Sequence, residues 1–142
     1  YIHGMCHLSI DRDNNRNALK TIIKAIKYIE TDKFSVGLCP EGTRNKSGSD
    51  EFLEIKSGFL IFASKGECPI TPLVMYRKPK AFRKNYIIVG KPFELIGENP
   101  KRLTKEELEL NLERYLNVLK ELRIELNDYV ETKKRKNRKK SS

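Results

Sequence analysis

Only three cysteines occur in the 142 residues, at Cys6, Cys39 and Cys68. None belongs to a C-x-x-C pair and the number is odd, which argues against a disulfide framework and against a cysteine-built zinc site. Cys6 and Cys39 lie in apolar, strand-like runs, so buried reduced thiols are expected there. Histidine is scarcer still, limited to His3 and His7. No run approaches the roughly 18 unbroken apolar residues that a membrane span needs. No charged-then-apolar stretch reads as a signal peptide. No internal repeat is present. The first residue is Tyr1 rather than Met, which suggests a fragment or a processed chain.

What is present fits one ordinary domain. Apolar residues make up 38% and charged residues 34% of the chain, a globular composition with a large charged surface. The net charge is +10, and seven of those positives sit between Lys133 and Lys140, leaving +3 for the rest. Dense like charge without apolar residues does not pack, so 132–142 reads as a disordered basic tail after a domain over 1–131. The tail suits a solvated end, an anionic lipid surface or nucleic acid. The absence of interleaved aromatics argues against nucleic acid.

Strands and helices alternate along the chain. Met5 to Ile10 reads as a short strand. Leu19, Ile22, Ile23, Ile26 and Ile29 have helical spacing, with Lys20, Lys24 and Lys27 on the other face. Phe34 to Cys39 reads as a strand stopped by Pro40. Ser57 to Lys65 reads as a helix closed by Gly66. Ile70 to Met75 and Tyr86 to Val89 read as strands, the first made irregular by Pro72. Thr104-x-x-Glu107 is a capping box opening a long helix over 104–130, with a leucine face suited to core packing. Together these predict an α/β fold, with a sheet flanked by helices and a long C-terminal helix.

The segment Cys39-Pro40-Glu41-Gly42-Thr43-Arg44 is the chemically informative one. Gly42 permits a tight backbone path. Thr43 and Arg44 present a hydroxyl and a guanidinium side by side, and a guanidinium fork suits phosphate. From these residues alone, a phosphate site and a plain solvated turn both stand.

Pro40-Glu41-Gly42-Thr43-Arg44 resembles the P-E-G-T-R block of the glycerolipid acyltransferases, with Cys39 where the family usually has Phe. Three further segments resemble the family's blocks in the right order. They are Gly4 to Arg12, ending Ile10-Asp11-Arg12; Phe52-x-x-x-Lys56-x-Gly58; and Cys68-Pro69-Ile70-Thr71-Pro72-Leu73. The resemblance spans about residues 4–76. Beyond it, Val89-Gly90-Lys91-Pro92 adds a generic turn.

The resemblance implies a glycerol-3-phosphate acyltransferase-like fold with a mostly parallel or mixed sheet. It implies acyl transfer from acyl-CoA or acyl carrier protein to lysophosphatidic acid at the cytoplasmic face of a membrane. Arg12 and Arg44 would hold the acceptor phosphate, with Gly42 and Thr43 beside them. Lys56, like Lys46, could add charge. Glu41 would either contact the acceptor or phosphate arginines, or fix the loop by accepting backbone hydrogens. The Cys68–Leu73 block would shape a pocket floor. No metal or redox cofactor is implied.

The family's first block, H-x-x-x-x-D, is not in this sequence. Its histidine is the base that activates a glycerol hydroxyl, a weak nucleophile at neutral pH. Five residues after His3 stands Leu8, and five after His7 stands Arg12. The resemblance therefore implies an upstream catalytic block, any membrane anchor preceding it, and no catalytic residue within this chain. The alternative is a non-catalytic domain that binds a phosphorylated or anionic-lipid ligand.

Overall fold

A computed structural model describes residues 15–31, 34–41, 51–76, 82 and 84–140. Isoleucine spacing and a lysine-rich opposite face produce the first helix, α1 (Asn15–Ile29). Ile22, Ile26 and Ile29 are half-buried, while Ile23 is exposed. Among the residues of this helix whose burial is described, Ala25 is the buried one. Its end is tightened by Thr31, whose hydroxyl donates to the Tyr28 carbonyl at 2.7 Å.

The second helix, α2 (Gly58–Lys65), buries Phe59, Leu60, Ala63 and Ser64. It ends in a left-handed turn, but not at Gly66. Gly66 has φ −86°, and Glu67 takes the left-handed position at φ 46°. The Cys68 N–H donates to the Ala63 carbonyl at 3.2 Å, and the Glu67 N–H to the Ser64 carbonyl at 3.4 Å. That pattern closes the helix with Glu67 where glycine is favoured. Gly66 is needed for a different reason: a Cβ there would stand 2.9 Å from Ile29 Cγ2. The missing side chain lets α1 touch α2.

Strands β1 (Leu73–Met75) and β2 (Ile87–Val89) pair antiparallel, with Leu73 opposite Val89 and Met75 opposite Ile87. Pairing continues at Ile70 and Phe93, which exchange both backbone hydrogen bonds at 2.8 and 2.9 Å. Between these two registers the 90–92 side carries one extra residue, a bulge beside Pro72. Among the described residues this antiparallel pair is the whole sheet, so the expected mostly parallel or mixed sheet is not seen there. The expected strand over Met5 to Ile10 lies outside the described residues.

Phe34 to Cys39, also expected to be a strand, has no regular secondary structure. A run of six residues gains strand character only from a ladder partner. Phe34 and Leu38 are instead exposed, and the Phe34 ring packs at 5.3 Å from Tyr28. Cys39, expected to be buried, is exposed on the same segment. Cys68 is half-buried, and burial pushes its thiol pKa up. Cys6 is outside the described residues.

The third helix, α3 (Lys105–Lys140), runs for 36 residues, about 54 Å at 1.5 Å per residue. Its start is the expected capping box. The Thr104 N–H donates to Glu107 Oε2 at 2.7 Å, and the Glu107 N–H to Thr104 Oγ1 at 3.2 Å. Tyr115, Leu119, Leu126 and Val130 form the helix's side of the core with Ile55, Phe59, Leu60, Val74 and Phe93. The helix continues through the basic segment read above as a disordered tail. Lysine and arginine lose little rotamer freedom in a helix, and neither Gly nor Pro interrupts residues 105–140. Once a packed stem exists, each further turn adds without a new nucleation cost.

Candidate functional site

Among the described residues, two of the six proposed site residues have a place: Glu41 and Lys56. Arg12, Gly42, Thr43 and Arg44 lie outside them, as do His3, His7 and Lys46.

Pro40 and Glu41 form a turn that is tied to the segment leading into α2. Glu41 Oε2 accepts the Leu53 N–H at 2.9 Å. The Pro40 carbonyl accepts the Lys56 N–H at 3.4 Å, a longer contact. Glu41 is half-buried, and its carboxylate thus fixes backbone across an interval of twelve residues. Of the two roles open from the sequence, the loop-fixing one has a described partner.

The other side of this tie is anchored in the core. Ile55 is buried, and Phe52 packs against the core cluster. The Arg123 guanidinium of α3 stacks over the Phe52 ring at 4.3 Å. No sequence signal could have paired residues so far apart. Lys56 follows Ile55 and is exposed, two residues before α2 begins.

The fourth block lies under α2. Ile70 is half-buried against the core, and Pro72 is fully buried. Cys68, Pro69, Ala63, Ser64, Leu95 and Pro100 line a shallow depression of about 190 Å³. The Ser64 hydroxyl donates to the Pro100 carbonyl across it. Neither Glu41 nor Lys56 borders this depression.

A second buried polar centre was not anticipated. Asn111 is fully buried on the helix face also bearing Leu108 and Tyr115. Its Oδ1 accepts the Ile96 N–H at 2.9 Å, and its Nδ2 donates to the Ile96 and Glu107 carbonyls, each at 2.7 Å. Arg114 Nη1 donates to Asn111 Oδ1 at 2.9 Å and lies over the Phe93 ring at 4.8 Å. The detectable signal was an asparagine at a core position of the leucine stripe. This network holds the 94–98 segment against α3 and is structural.

Among the described residues, no group of three His, Cys, Asp or Glu could hold a metal ion. Among them, no helix is long and apolar enough to cross a membrane.

The Acyltransferase family model matches residues 2–76, more than half of the chain, and the chain belongs to that family. The match takes in all four sequence blocks and ends one residue past β1, before β2 and α3. Curated relatives share this region. A 1-acyl-sn-glycerol-3-phosphate acyltransferase of Limnanthes alba is 35% identical over 78 residues, 55% of this chain and 27% of the relative. One of Cocos nucifera is 35% identical over 83 residues, 58% of this chain and 26% of the relative. One of Borreliella burgdorferi is 35% identical over 78 residues, 55% of this chain and 30% of the relative. The match thus spans little more than a quarter of the length of these relatives. No solved structure matches the chain.

Proposed function

We propose that this chain is part of an enzyme that moves an acyl group from a thioester to lysophosphatidate, giving phosphatidate for phospholipid synthesis. The observation that carries the proposal is the family match over residues 2–76, which holds four blocks in order. The relatives' names indicate the acceptor.

In this reading Arg12 and Arg44 hold the acceptor phosphate by charge-assisted hydrogen bonds, stronger than neutral ones. Thr43 adds a hydroxyl contact, Gly42 lets the backbone approach, and Lys56 contributes positive charge. Glu41 serves by holding the Leu53 N–H, tying the turn at Pro40 and Glu41 to the segment before α2. A histidine of an H-x-x-x-x-D block takes the proton of the acceptor hydroxyl. The hydroxyl oxygen bonds to the thioester carbonyl carbon, the carbon–sulfur bond breaks, and the thiol leaves with a proton. The donor is acyl-CoA or acyl carrier protein, and the reaction takes place at the cytoplasmic face of a membrane.

The test is Arg44→Ala in the intact enzyme, assayed at low lysophosphatidate. Loss of one charge-assisted phosphate contact lowers kcat/KM for the acceptor by at least about tenfold. An unchanged rate would reject the phosphate assignment. An intact protein that binds lysophosphatidate but transfers no acyl group would be a binding domain instead.

A further inference from the structure

The basic last part of α3 meets the end of the β1–β2 hairpin at Tyr76 and Tyr86. The hairpin closes where the Tyr76 N–H donates to the Tyr86 carbonyl at 2.9 Å. Against that end, α3 lays the tyrosine and lysines of its final turns. Lys133 Nζ lies 5.6 Å from the Tyr86 ring centre and donates to the Tyr129 hydroxyl at 3.1 Å. Lys134 Nζ lies 5.2 Å from the Tyr76 ring centre and donates to its hydroxyl at 3.0 Å. Beyond Lys134, Arg135 and Lys136 are exposed.

By sequence, residues 77–84 and 133–140 hold twelve Lys and Arg and no acid. With a total of +10, the remaining residues carry a net −2. The net positive charge of the chain is thus accounted for by two segments, one joining the two strands of the hairpin and the other beginning where α3 meets it. Acids also stand near this end: Glu131 pairs with Lys134 at 2.6 Å, and Glu125 lines a depression with Tyr86, Ile87 and Tyr129.

The same end exposes apolar side chains. Phe82 is wholly exposed, at 107% of its reference area, and sits at φ 59°. A phenylalanine in the left-handed region carries backbone strain. Met75 and Ile87 face each other on the outer side of the hairpin and are 41% and 55% exposed. An exposed apolar cluster rimmed by charge marks an interaction site.

We propose that this end, comprising Met75, Phe82, Lys84, Ile87 and the Lys133–Lys136 turn of α3, docks on a bilayer containing anionic lipid. Lysine and arginine neutralise lipid phosphates, each contributing about fivefold to binding near such a surface. Phe82, Met75 and Ile87 enter the boundary between head groups and acyl chains. Tyr76, Tyr86 and Tyr129 sit at head-group level, where an apolar ring with a polar tip is favoured. A nucleic acid would take the charge but would leave Met75 and Ile87 in water. The inference does not rest on the acyl-transfer reading, because its readout is partition rather than turnover.

The 142-residue chain would be co-sedimented with phosphatidylcholine vesicles, with and without about 30 mol% phosphatidylserine. Phosphatidylserine is used because it is neither the proposed acceptor nor the product. The expected result is binding only when phosphatidylserine is present, lost in about 0.5 M salt. Phe82→Ser weakens it about tenfold. Arg135→Gln with Lys136→Gln weakens it about thirtyfold while keeping the far-ultraviolet helical signal. Equal partition to both vesicles, or binding indifferent to both variants, overturns the proposal. Tighter binding to a DNA duplex, sensitive to the glutamine pair but not to Phe82→Ser, overturns it in favour of nucleic acid.

Discussion

The Glu41 carboxylate holds the Leu53 backbone N–H at 2.9 Å, joining the turn at Pro40 and Glu41 to the segment that leads into α2. Removing the acceptor leaves a partly buried donor without its partner. Glu41→Ala is expected to cost about 1 kcal/mol, and Glu41→Gln, which retains an oxygen acceptor, clearly less. Urea midpoints at constant m-value would check this. Equal midpoints for the wild type and Glu41→Ala would show that the tie contributes nothing.

Glu107 makes stability depend on pH. Backbone N–H donation, from Thr104 first and then Glu98, holds its carboxyl below the ordinary range. A carboxylate whose folded pKa is depressed stabilises the protein above its unfolded pKa. That contribution disappears as pH falls through the folded pKa. Glu107→Gln should therefore melt below the wild type at about pH 6, and the gap should close in acid below the usual carboxylate range. A gap that stays constant with pH would contradict the capping role.

Asn111 satisfies both backbone groups of Ile96 from within the core. Asn111→Leu fills similar space but leaves those groups unpaired, and it should cost about 3 kcal/mol. Thermal or urea unfolding would register this loss. A neutral substitution would mean that the 94–98 segment re-pairs with other groups.

Gly66 and Glu67 should respond in opposite directions. Gly66→Ala places a methyl 2.9 Å from Ile29 Cγ2 and 3.2 Å from the Phe62 carbonyl oxygen, an overpacking worth about 1–3 kcal/mol. Glu67→Gly relieves a left-handed glutamate and gives up only an exposed bridge to Lys101. It should be neutral or stabilising by up to about 1 kcal/mol. Destabilisation by Glu67→Gly beyond that range would contradict the cap assignment.

Of the candidate site, the sequence revealed the blocks but not their joining. Glu41 was legible as a residue with two possible roles, and its choice of Leu53 as partner depends on how the chain returns after twelve residues. Arg123 over Phe52 and Asn111 under Ile96 were not legible, because each contact couples α3 to a distant segment.

The sequence by itself determined the features that depend on neighbours within about four positions. These are α2, the Thr104–Glu107 capping box, the leucine face of α3 and the irregular strand around Pro72. It also contained the ordered blocks that place the chain among acyltransferases. The tertiary structure alone decided whether a short apolar run became a strand. Leu73–Met75 found β2 to pair with, whereas Phe34 turned to Tyr28 and its segment remained irregular. It also decided that Gly66 serves a helix contact while Glu67 takes the turn, and that Lys133 and Lys134 meet Tyr86 and Tyr76. Ladder pairing, close packing and charge clustering depend on which distant residues share space, and no local pattern encodes that.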